Sequence, residues 1–251
     1  MERERLERTK QLLIENRAVR VDELVSMFDV SPMTIRRDLD KLAAENNHIR
    51  RCRGGAIFVT DITFEETYPK KQILNLDGKQ EIAQRAFNLL KSGQLLYLDA
   101  GTTCHEVAKL LVLHPLRIDV VTNDMHTALL LGENGYRVYS TGGTVEQETG
   151  CMIGDFAENT VKMFCFDIAF MGATSIDENF EVSTPTQEKA FLKRLVLSRS
   201  KHSYMLADQT KFFHRSHYYM YTLKEFDGVF TNKEFIEKNI EILQQLEIAL
   251  L

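Results

Sequence analysis

The sequence lacks the features that assign many chains to a membrane, a secretory route or a metal site. Its apolar runs are far shorter than the ~20 residues that cross a bilayer, so no membrane partner is expected. The opening MERERLERTK is charged throughout, which predicts no secretory signal and a cytoplasmic location. The cysteines form no CxxC pair, which favours free thiols over a disulfide or a zinc site. We therefore predict neither a metal nor another cofactor.

Charge is distributed unevenly along the 251 residues, whose net charge is -5. Residues 1–55 contain 12 Lys and Arg against 10 Asp and Glu, so this head is slightly basic. The remaining body contains 19 basic and 26 acidic residues. A basic head on an acidic body suggests that the head binds nucleic acid. Because this difference in charge is small, the prediction of nucleic-acid binding depends on the helix pattern of the head.

Residues 1–58 have the pattern of a winged helix-turn-helix domain. A first helix is predicted over residues 2–16, and Asp22 is expected to cap a second helix. A third helix starts in SPMTIRRDLDKL, residues 31–42. The following HIRRCRGGAIFV predicts a β-hairpin with a basic first arm, because Gly54-Gly55 permits a tight turn. In such a domain the third helix lies in the major groove of DNA.

The third helix is predicted to have one apolar and one basic face. Ser31 is placed to cap it, and Ile35 and Leu39 lie on the apolar side. Arginines near a helix N-terminus are unfavourable in isolation because of the helix dipole, but they suit an end that faces phosphates and guanine edges. The predicted DNA contacts are Ser31, Met33, Thr34, Arg36, Arg37 and Lys41 on the helix, and Arg50, Arg51 and Arg53 on the wing. Any one of these charges alone is explained better by a basic face exposed to solvent. The helix cap, the apolar spacing and the basic wing together favour DNA binding.

The body has the pattern of an α/β domain. Residues 59–78 show no sustained period and are interpreted as a linker. Over residues 79–251, apolar strands alternate with helical segments, which is typical of a mostly parallel sheet. The fold class is therefore α/β, with an N-terminal winged helix-turn-helix domain before a larger α/β domain. Ligands of such sheets bind beyond the carboxyl ends of the strands.

Polar residues follow several strands of this predicted sheet. Asp99-Ala100-Gly101-Thr102-Thr103 leads directly into a helix, and its N–H groups, glycine and two hydroxyls suit a phosphate. The loop lacks the lysine of GxxxxGK[ST], which argues against a nucleotide P-loop. Thr122-Asn123 and Gly142-Gly143-Thr144 end two more strands, and Lys211 follows another. Each loop alone is equally well explained by capping and turn chemistry, but several at one sheet edge favour a ligand site.

Short motifs in both parts carry a family resemblance. In the head they are Val30-Ser31, Thr34 to Leu39, Leu42 and Arg51 to Ala56. In the body they are LDAGTT, VVTN, DIAFMGATSID, QEKA and LADQTKF. These motifs resemble those of the DeoR family of bacterial transcriptional regulators. Two departures in the head are Asn47, where a Gly is usual, and Arg53, where many members have His.

The resemblance implies a repressor of a sugar or polyol catabolic operon. Such a repressor leaves double-stranded operator DNA when a phosphorylated sugar or polyol binds its C-terminal domain, which resembles ribose-5-phosphate isomerase. The residues implied for the phosphate end are Lys79, Gly101, Thr102 and Thr103, and those implied to face the sugar are Asp99, Thr122, Asn123 and Lys211. The expected site also includes Gly143, Gly172, Thr174 and Glu188. A homo-oligomer, dimer or tetramer, is implied as well, and one small head reads too few base pairs to bind specifically alone.

The competing hypothesis is an active sugar-phosphate isomerase that carries a DNA-binding head. Proton transfer between adjacent sugar carbons needs a carboxylate base and groups that stabilise the enediolate. The isomerase has Asp-Gly-Ala-Asp after the matching strand, whereas this chain has Met171-Gly172-Ala173-Thr174. Only Glu188 remains, at the position of the base, and one carboxylate without its partners is poorly equipped for catalysis. We therefore predict a regulator rather than an enzyme.

Overall fold

The structure is a computed structural model that describes residues 2–16, 18–46, 49–52, 54–58, 61–62 and 66–251. The chain divides into two compact units, residues 1–62 and residues 63–251. No helix in the described ranges combines the length and the apolar character that a membrane span requires.

The first unit is a winged helix-turn-helix. Its elements are α1 (Glu2–Asn16), β1 (Ala18–Arg20), α2 (Val21–Phe28), α3 (Pro32–Glu45), β2 (Ile49–Cys52), β3 (Gly55–Phe58) and β4 (Asp61–Ile62). Strands β1, β3 and β2 form an antiparallel sheet in that order. The helices close over a small core that includes Leu13, Leu24, Ile35 and Leu39. The predicted helices and hairpin are confirmed.

Two local features of this unit have clear physical causes. Gly54 has φ +87° and forms the hairpin turn, and a Cβ on Gly55 would lie 2.0 Å from the carbonyl oxygen of Val19. Gly55 therefore allows β3 to approach β1. The prediction that Asp22 caps α2 is wrong, because β1 ends at Arg20 and the helix begins at once. The acceptor for the Arg20 N–H is instead the Glu23 carboxylate, at 3.3 Å.

The second unit is built around a six-stranded sheet. Its helices are α4 (Tyr68–Ile73), α5 (Leu76–Phe87), α6 (Thr102–Leu113), α7 (Met125–Glu133), α8 (Asp155–Lys162), α9 (Gln187–Ser198) and α10 (Glu237–Gln245), with 3₁₀ turns at Gln209–Lys211 and Leu223–Glu225. Its strands are β5 (Leu95–Leu98), β6 (Asp119–Thr122), β7 (Val138–Ser140), β8 (Thr144–Val145), β9 (Met152–Ile153), β10 (Phe166–Gly172), β11 (Ser175–Ile176), β12 (Glu181–Thr184), β13 (Ser200–Leu206), β14 (Arg215–Ser216), β15 (Tyr218–Thr222) and β16 (Gly228–Phe230). The sheet order is β16-β13-β10-β5-β6-β7, and every pair is parallel, as the alternating pattern predicts.

Both faces of this sheet are covered, because successive side chains of each strand point to opposite faces. Tyr97 and Met171 pack on one face with α8 and α9. Leu96, Leu98 and Phe170 pack on the other face with α5 and α6. The carboxyl ends of β5, β6, β10 and β13 therefore open on one edge of a sandwiched sheet, where the polar loops lie.

Several short elements have no counterpart in the sequence pattern. The stretch 59–78, interpreted as a linker, contains α4 and the first three residues of α5. Between residues 144 and 165 the chain forms β8, β9 and α8, and β11, β12 and β15 form a small antiparallel sheet. Most of these elements have fewer than nine residues, which is too short for a hydrophobic period to stand out.

Candidate DNA-binding surface and effector site

Helix α3 presents its basic face to solvent. Ser31 caps it by accepting a hydrogen bond from the Thr34 N–H at 3.1 Å. Ile35 and Leu39 are fully buried, whereas Met33 is 63% exposed and Arg37 is exposed. The helix is thus anchored on one side only, and the predicted groove-facing side is open to a ligand.

The cations of this surface differ in their partners. Lys41 forms an ion pair with Glu2, and Arg51 on the wing pairs with Asp40 at 2.7 Å. Arg36 and Arg37 are exposed and form no ion pair with any other described residue. Two arginines are therefore available for an external polyanion. The side chain of Arg50 and all of Arg53 lie outside the described residues, so their predicted contacts stay predictions.

The loop between β5 and α6 forms the base of a cleft in the second unit. Gly101 has φ +151° and precedes α6, whose first residues are the buried Thr102 and Thr103. The N–H groups in the first turn of a helix have no intrahelical acceptor, so they are available to an anion. The Ala100 N–H is already bound by Asn123 Oδ1 at 2.8 Å, and the Gly101 N–H by Asp124 Oδ2 at 3.1 Å. These two bonds fix the loop rather than a ligand.

The structure brings only part of the predicted effector set to the cleft. Six of the predicted residues line it: Gly101, Thr102, Thr103, Gly172, Thr174 and Lys211. Among the lining residues that the sequence analysis did not single out are Tyr68, Lys71, Thr149, Cys151, Lys189 and Lys193. None of the described lining residues is a carboxylate, and the charged ones are all lysines. The cleft therefore suits an anion.

Three predicted residues lie behind the loop and hold it in place. Asp99 is fully buried, accepts the Gly172 N–H at 2.9 Å and pairs with Lys193. Asn123 Oδ1 accepts a hydrogen bond from the Ala100 N–H, and Asn123 Nδ2 donates one to Cys151 Sγ. Thr122 Oγ1 accepts the Asp124 N–H at 3.0 Å.

The other three predicted residues also lie outside the cleft lining. Lys79 is buried, donates to the carbonyl oxygen of Lys71, and burial lowers its pKa to about 8. Gly143 permits a close backbone contact, since a Cβ there would lie 2.4 Å from the Ile153 carbonyl oxygen. Glu188, assigned to the base position of the isomerase, is exposed on α9.

Two lysines of α9 supply charge that the sequence analysis missed. Lys189 and Lys193 are one turn apart and almost fully buried. Lys189 pairs with Glu146 at 2.5 Å, and Lys193 pairs with Asp99 and donates to the Gly172 carbonyl oxygen at 2.8 Å. Burial alone would lower the pKa of Lys193, but the Asp99 charge and hydrogen bond raise it above its usual value. Their spacing of four places them on the face that also buries Val196, a signal present in the sequence.

Two family models match the chain and divide it as the structure does. The DeoR-like helix-turn-helix domain matches residues 5–61, and the DeoR C terminal sensor domain matches residues 74–233. The HTH-type transcriptional regulator GlpR of Haloferax volcanii is 35% identical over 91% of this chain and 89% of its own length. The glycerol-3-phosphate regulon repressor of Haemophilus influenzae is 32% identical over 84% of this chain and 81% of its own length.

The similarity to solved structures is weaker. Ribose 5-phosphate isomerase A of Methanocaldococcus jannaschii is 17% identical over 55% of each chain, with a TM-score of 0.41. The eIF2B delta structure from Chaetomium thermophilum is 16% identical over 64% of this chain and 57% of that chain, with a TM-score of 0.46. No functional conclusion follows from similarities of this size.

The two matched models correspond to the two units with their separate surfaces. The first unit binds DNA, and the second binds a small-molecule effector. Both of these relatives are named as transcriptional regulators. Both models match in order, and one relative is 35% identical over 91% of this chain, so this chain belongs to the DeoR family of transcriptional regulators.

Proposed function

We propose that this chain is a repressor of a sugar or polyol catabolic operon, and that a phosphorylated sugar or polyol bound in the cleft releases it from operator DNA. The observation that carries the proposal is the charge of the cleft. Four lysines from three separate segments line the cleft together with the N-terminus of α6, and none of the described lining residues is acidic. A phosphate group is an anion that such a helix end and lysine set can bind.

Within this proposal the phosphate lies at the first turn of α6. Thr102 and Thr103 contribute backbone N–H groups and hydroxyls, and Lys211 and Thr174 line the space beside them. Asp99, Thr122 and Asn123 act through the loop that they fix, since each bonds to that loop or to its neighbours. The name of one relative, the glycerol-3-phosphate regulon repressor of Haemophilus influenzae, favours a small phosphorylated polyol as the first compound to test.

A double substitution tests the position of the phosphate. Replacing Thr102 and Thr103 by Val keeps the β-branched shape and removes both hydroxyls. We expect this variant to bind operator like the parent protein but to need far more effector for release in a gel-shift titration. Thr160→Val on α8 removes the hydroxyl of a half-buried threonine outside the cleft and serves as the control.

The effector itself is found by thermal shift against glycerol 3-phosphate and a panel of pentose and hexose phosphates. A ligand at ~100 times its Kd stabilises its site by ~2.7 kcal/mol, which is a measurable shift. Release of operator by the double variant at the parent's effector concentration contradicts this position of the phosphate.

We also propose that the protein acts as a dimer or tetramer, because one winged helix contacts too few base pairs for specific binding. Light scattering with and without operator DNA measures this directly. A monomer of ~29 kDa in both samples at micromolar concentration refutes it.

A further inference from the structure

Helix α4 joins the effector cleft to the chain segment that leads from the DNA-binding unit. It begins at Tyr68, six residues after Ile62, the last residue of that unit. The Tyr68 N–H donates to the Glu148 carbonyl oxygen at 2.6 Å, and the Lys71 carbonyl oxygen accepts from the buried Lys79. Helix α4, the first helix after the DNA-binding unit, is therefore held near each of its ends by a hydrogen bond to another part of the sensor unit.

Two side chains of α4 also line the cleft, Tyr68 and Lys71. The Tyr68 ring stacks on His126, with ring centres 3.8 Å apart and planes at 23°. Its edge meets His105 at 6.0 Å. The ring position is thus set by packing, which leaves the hydroxyl in a defined place.

The Tyr68 hydroxyl has no hydrogen-bond partner among the described residues, although the residue is only 7% exposed. A buried polar group without a hydrogen-bond partner costs free energy. A ligand that supplies a partner there would remove that cost and so bind more tightly. Two other tyrosines, Tyr97 and Tyr221, have unpartnered buried hydroxyls as well, but neither lines the cleft. Tyr68 is the tyrosine whose unsatisfied hydroxyl a cleft ligand can reach.

We propose that Tyr68 is an effector contact: its hydroxyl donates a hydrogen bond to an oxygen of the bound phosphorylated compound, and this bond fixes α4 when effector is present. The inference rests on the proposed function for the class of ligand. Burial raises the pKa of Tyr68 above its usual value, so the hydroxyl stays protonated and acts as a donor. Lys71, one turn further along α4, adds a positive charge on the same side of the cleft.

The consequence is a direct link between effector binding and the segment that carries the DNA-binding unit. An effector shifts an equilibrium only by its difference in affinity for the two states. The hydrogen bond from Tyr68 gives the effector a higher affinity for the state in which α4 lies against the cleft, because the bond forms only in that state. By reciprocity, DNA binding changes effector affinity by the same factor as effector changes DNA affinity.

The test is Tyr68→Phe, which keeps the stacked ring and removes only the hydroxyl. Tyr221→Phe is the matched control, since it removes a hydroxyl that is also buried and has no partner among the described residues, but lies outside the cleft. The probe is whichever of glycerol 3-phosphate, ribose 5-phosphate, glucose 6-phosphate and fructose 6-phosphate gives the parent protein the largest thermal shift. We expect Tyr68→Phe to bind operator normally without the probe, to bind the probe about tenfold more weakly by calorimetry, and to require about tenfold more probe for release.

Hydrogen exchange over residues 68–73 provides a second readout. The probe should slow exchange there in the parent protein and in Tyr221→Phe, and much less in Tyr68→Phe. Equal probe affinity and equal release in Tyr68→Phe and the parent overturn this inference while the proposed function stands. If no probe in the panel shifts or releases the parent protein, the proposed function fails first and this inference fails with it.

Discussion

In the DNA-binding unit the basic side chains of α3 stand in solvent, whereas in the sensor unit Lys79, Lys189 and Lys193 are at most 6% exposed. Arg36 and Arg37 form no ion pair with other described residues, while each of the three lysines bonds to a carboxylate or a carbonyl oxygen. Basic side chains therefore occupy two different environments in one chain.

Under the proposed function, this difference matches the sizes of the two ligands. DNA is a long polyanion whose counterions are released on binding, so exposed and mobile cations are sufficient. The proposed phosphorylated effector offers one or two anionic groups, and it must be recognised against water and inorganic ions. That task needs charges held in fixed positions, and a buried charge is stable only if it is paired and hydrogen-bonded. The expected effects of mutation should follow this contrast.

The largest effect is expected where a buried pair is broken. Lys193→Ala leaves the fully buried Asp99 carboxylate without its cation, which costs about 3–5 kcal/mol of unfolding free energy. Urea unfolding of the sensor unit measures it, with Lys201→Ala on the exposed start of β13 as the control. A loss below ~1 kcal/mol would show that the pair behaves like a surface pair.

A buried histidine should make the sensor unit sensitive to acid. Burial lowers the pKa of His105 from 6.5 to about 4, and its Nδ1 lies 3.0 Å from Thr127 Oγ1. In the unfolded chain the His105 imidazole becomes protonated near pH 6.5, whereas in the folded chain it becomes protonated only near pH 4. Stability should therefore fall by roughly 3 kcal/mol as the pH drops through this window.

Chemical denaturation at several pH values measures this loss of unfolding free energy. His105→Asn should flatten the slope between pH 6.5 and pH 4, and His202→Asn, at an exposed histidine, should not. An unchanged slope in His105→Asn would assign the acid sensitivity to another group.

The next effect concerns affinity for DNA rather than folding. Arg37→Ala removes an exposed cation that forms no ion pair with another described residue. The unfolding free energy should therefore stay unchanged, while binding to the cognate operator weakens by ~1–3 kcal/mol. Discrimination against unrelated DNA should weaken as well. Gel-shift titration measures both, and Arg8→Ala on the exposed side of α1 is the matched control. Unchanged operator binding would contradict the position of α3 in the groove.

The smallest effect is expected on the wing. Arg51 pairs with Asp40 at 2.7 Å and is predicted to contact the DNA backbone. Arg51→Ala should weaken all sequences about equally and reduce the slope of log K against log salt concentration by about 0.9, the value for one phosphate contact. A sequence-dependent loss would instead indicate a base contact.

Local patterns in the sequence were sufficient for the two folds. The cap at Ser31, the apolar spacing of Ile35 and Leu39, and the alternation of strands with helices each depend on neighbours a few residues apart. The loop from Gly101 to Thr103 was predicted for the same reason, since its glycine, its hydroxyls and the helix that follows are contiguous. Such signals survive in a single sequence because the backbone geometry that they satisfy is local.

The composition of the cleft was decided by tertiary structure. Lys193 reaches Asp99 across 94 residues, and Tyr68 comes from a six-residue helix with no period to reveal it. The same long-range packing places Asp99 and Asn123 behind the loop and Lys79 beneath α4, outside the cleft lining. Sequence spacing fixes which face of a helix or strand a residue occupies, but only the packing of distant elements decides which of these faces enclose a ligand.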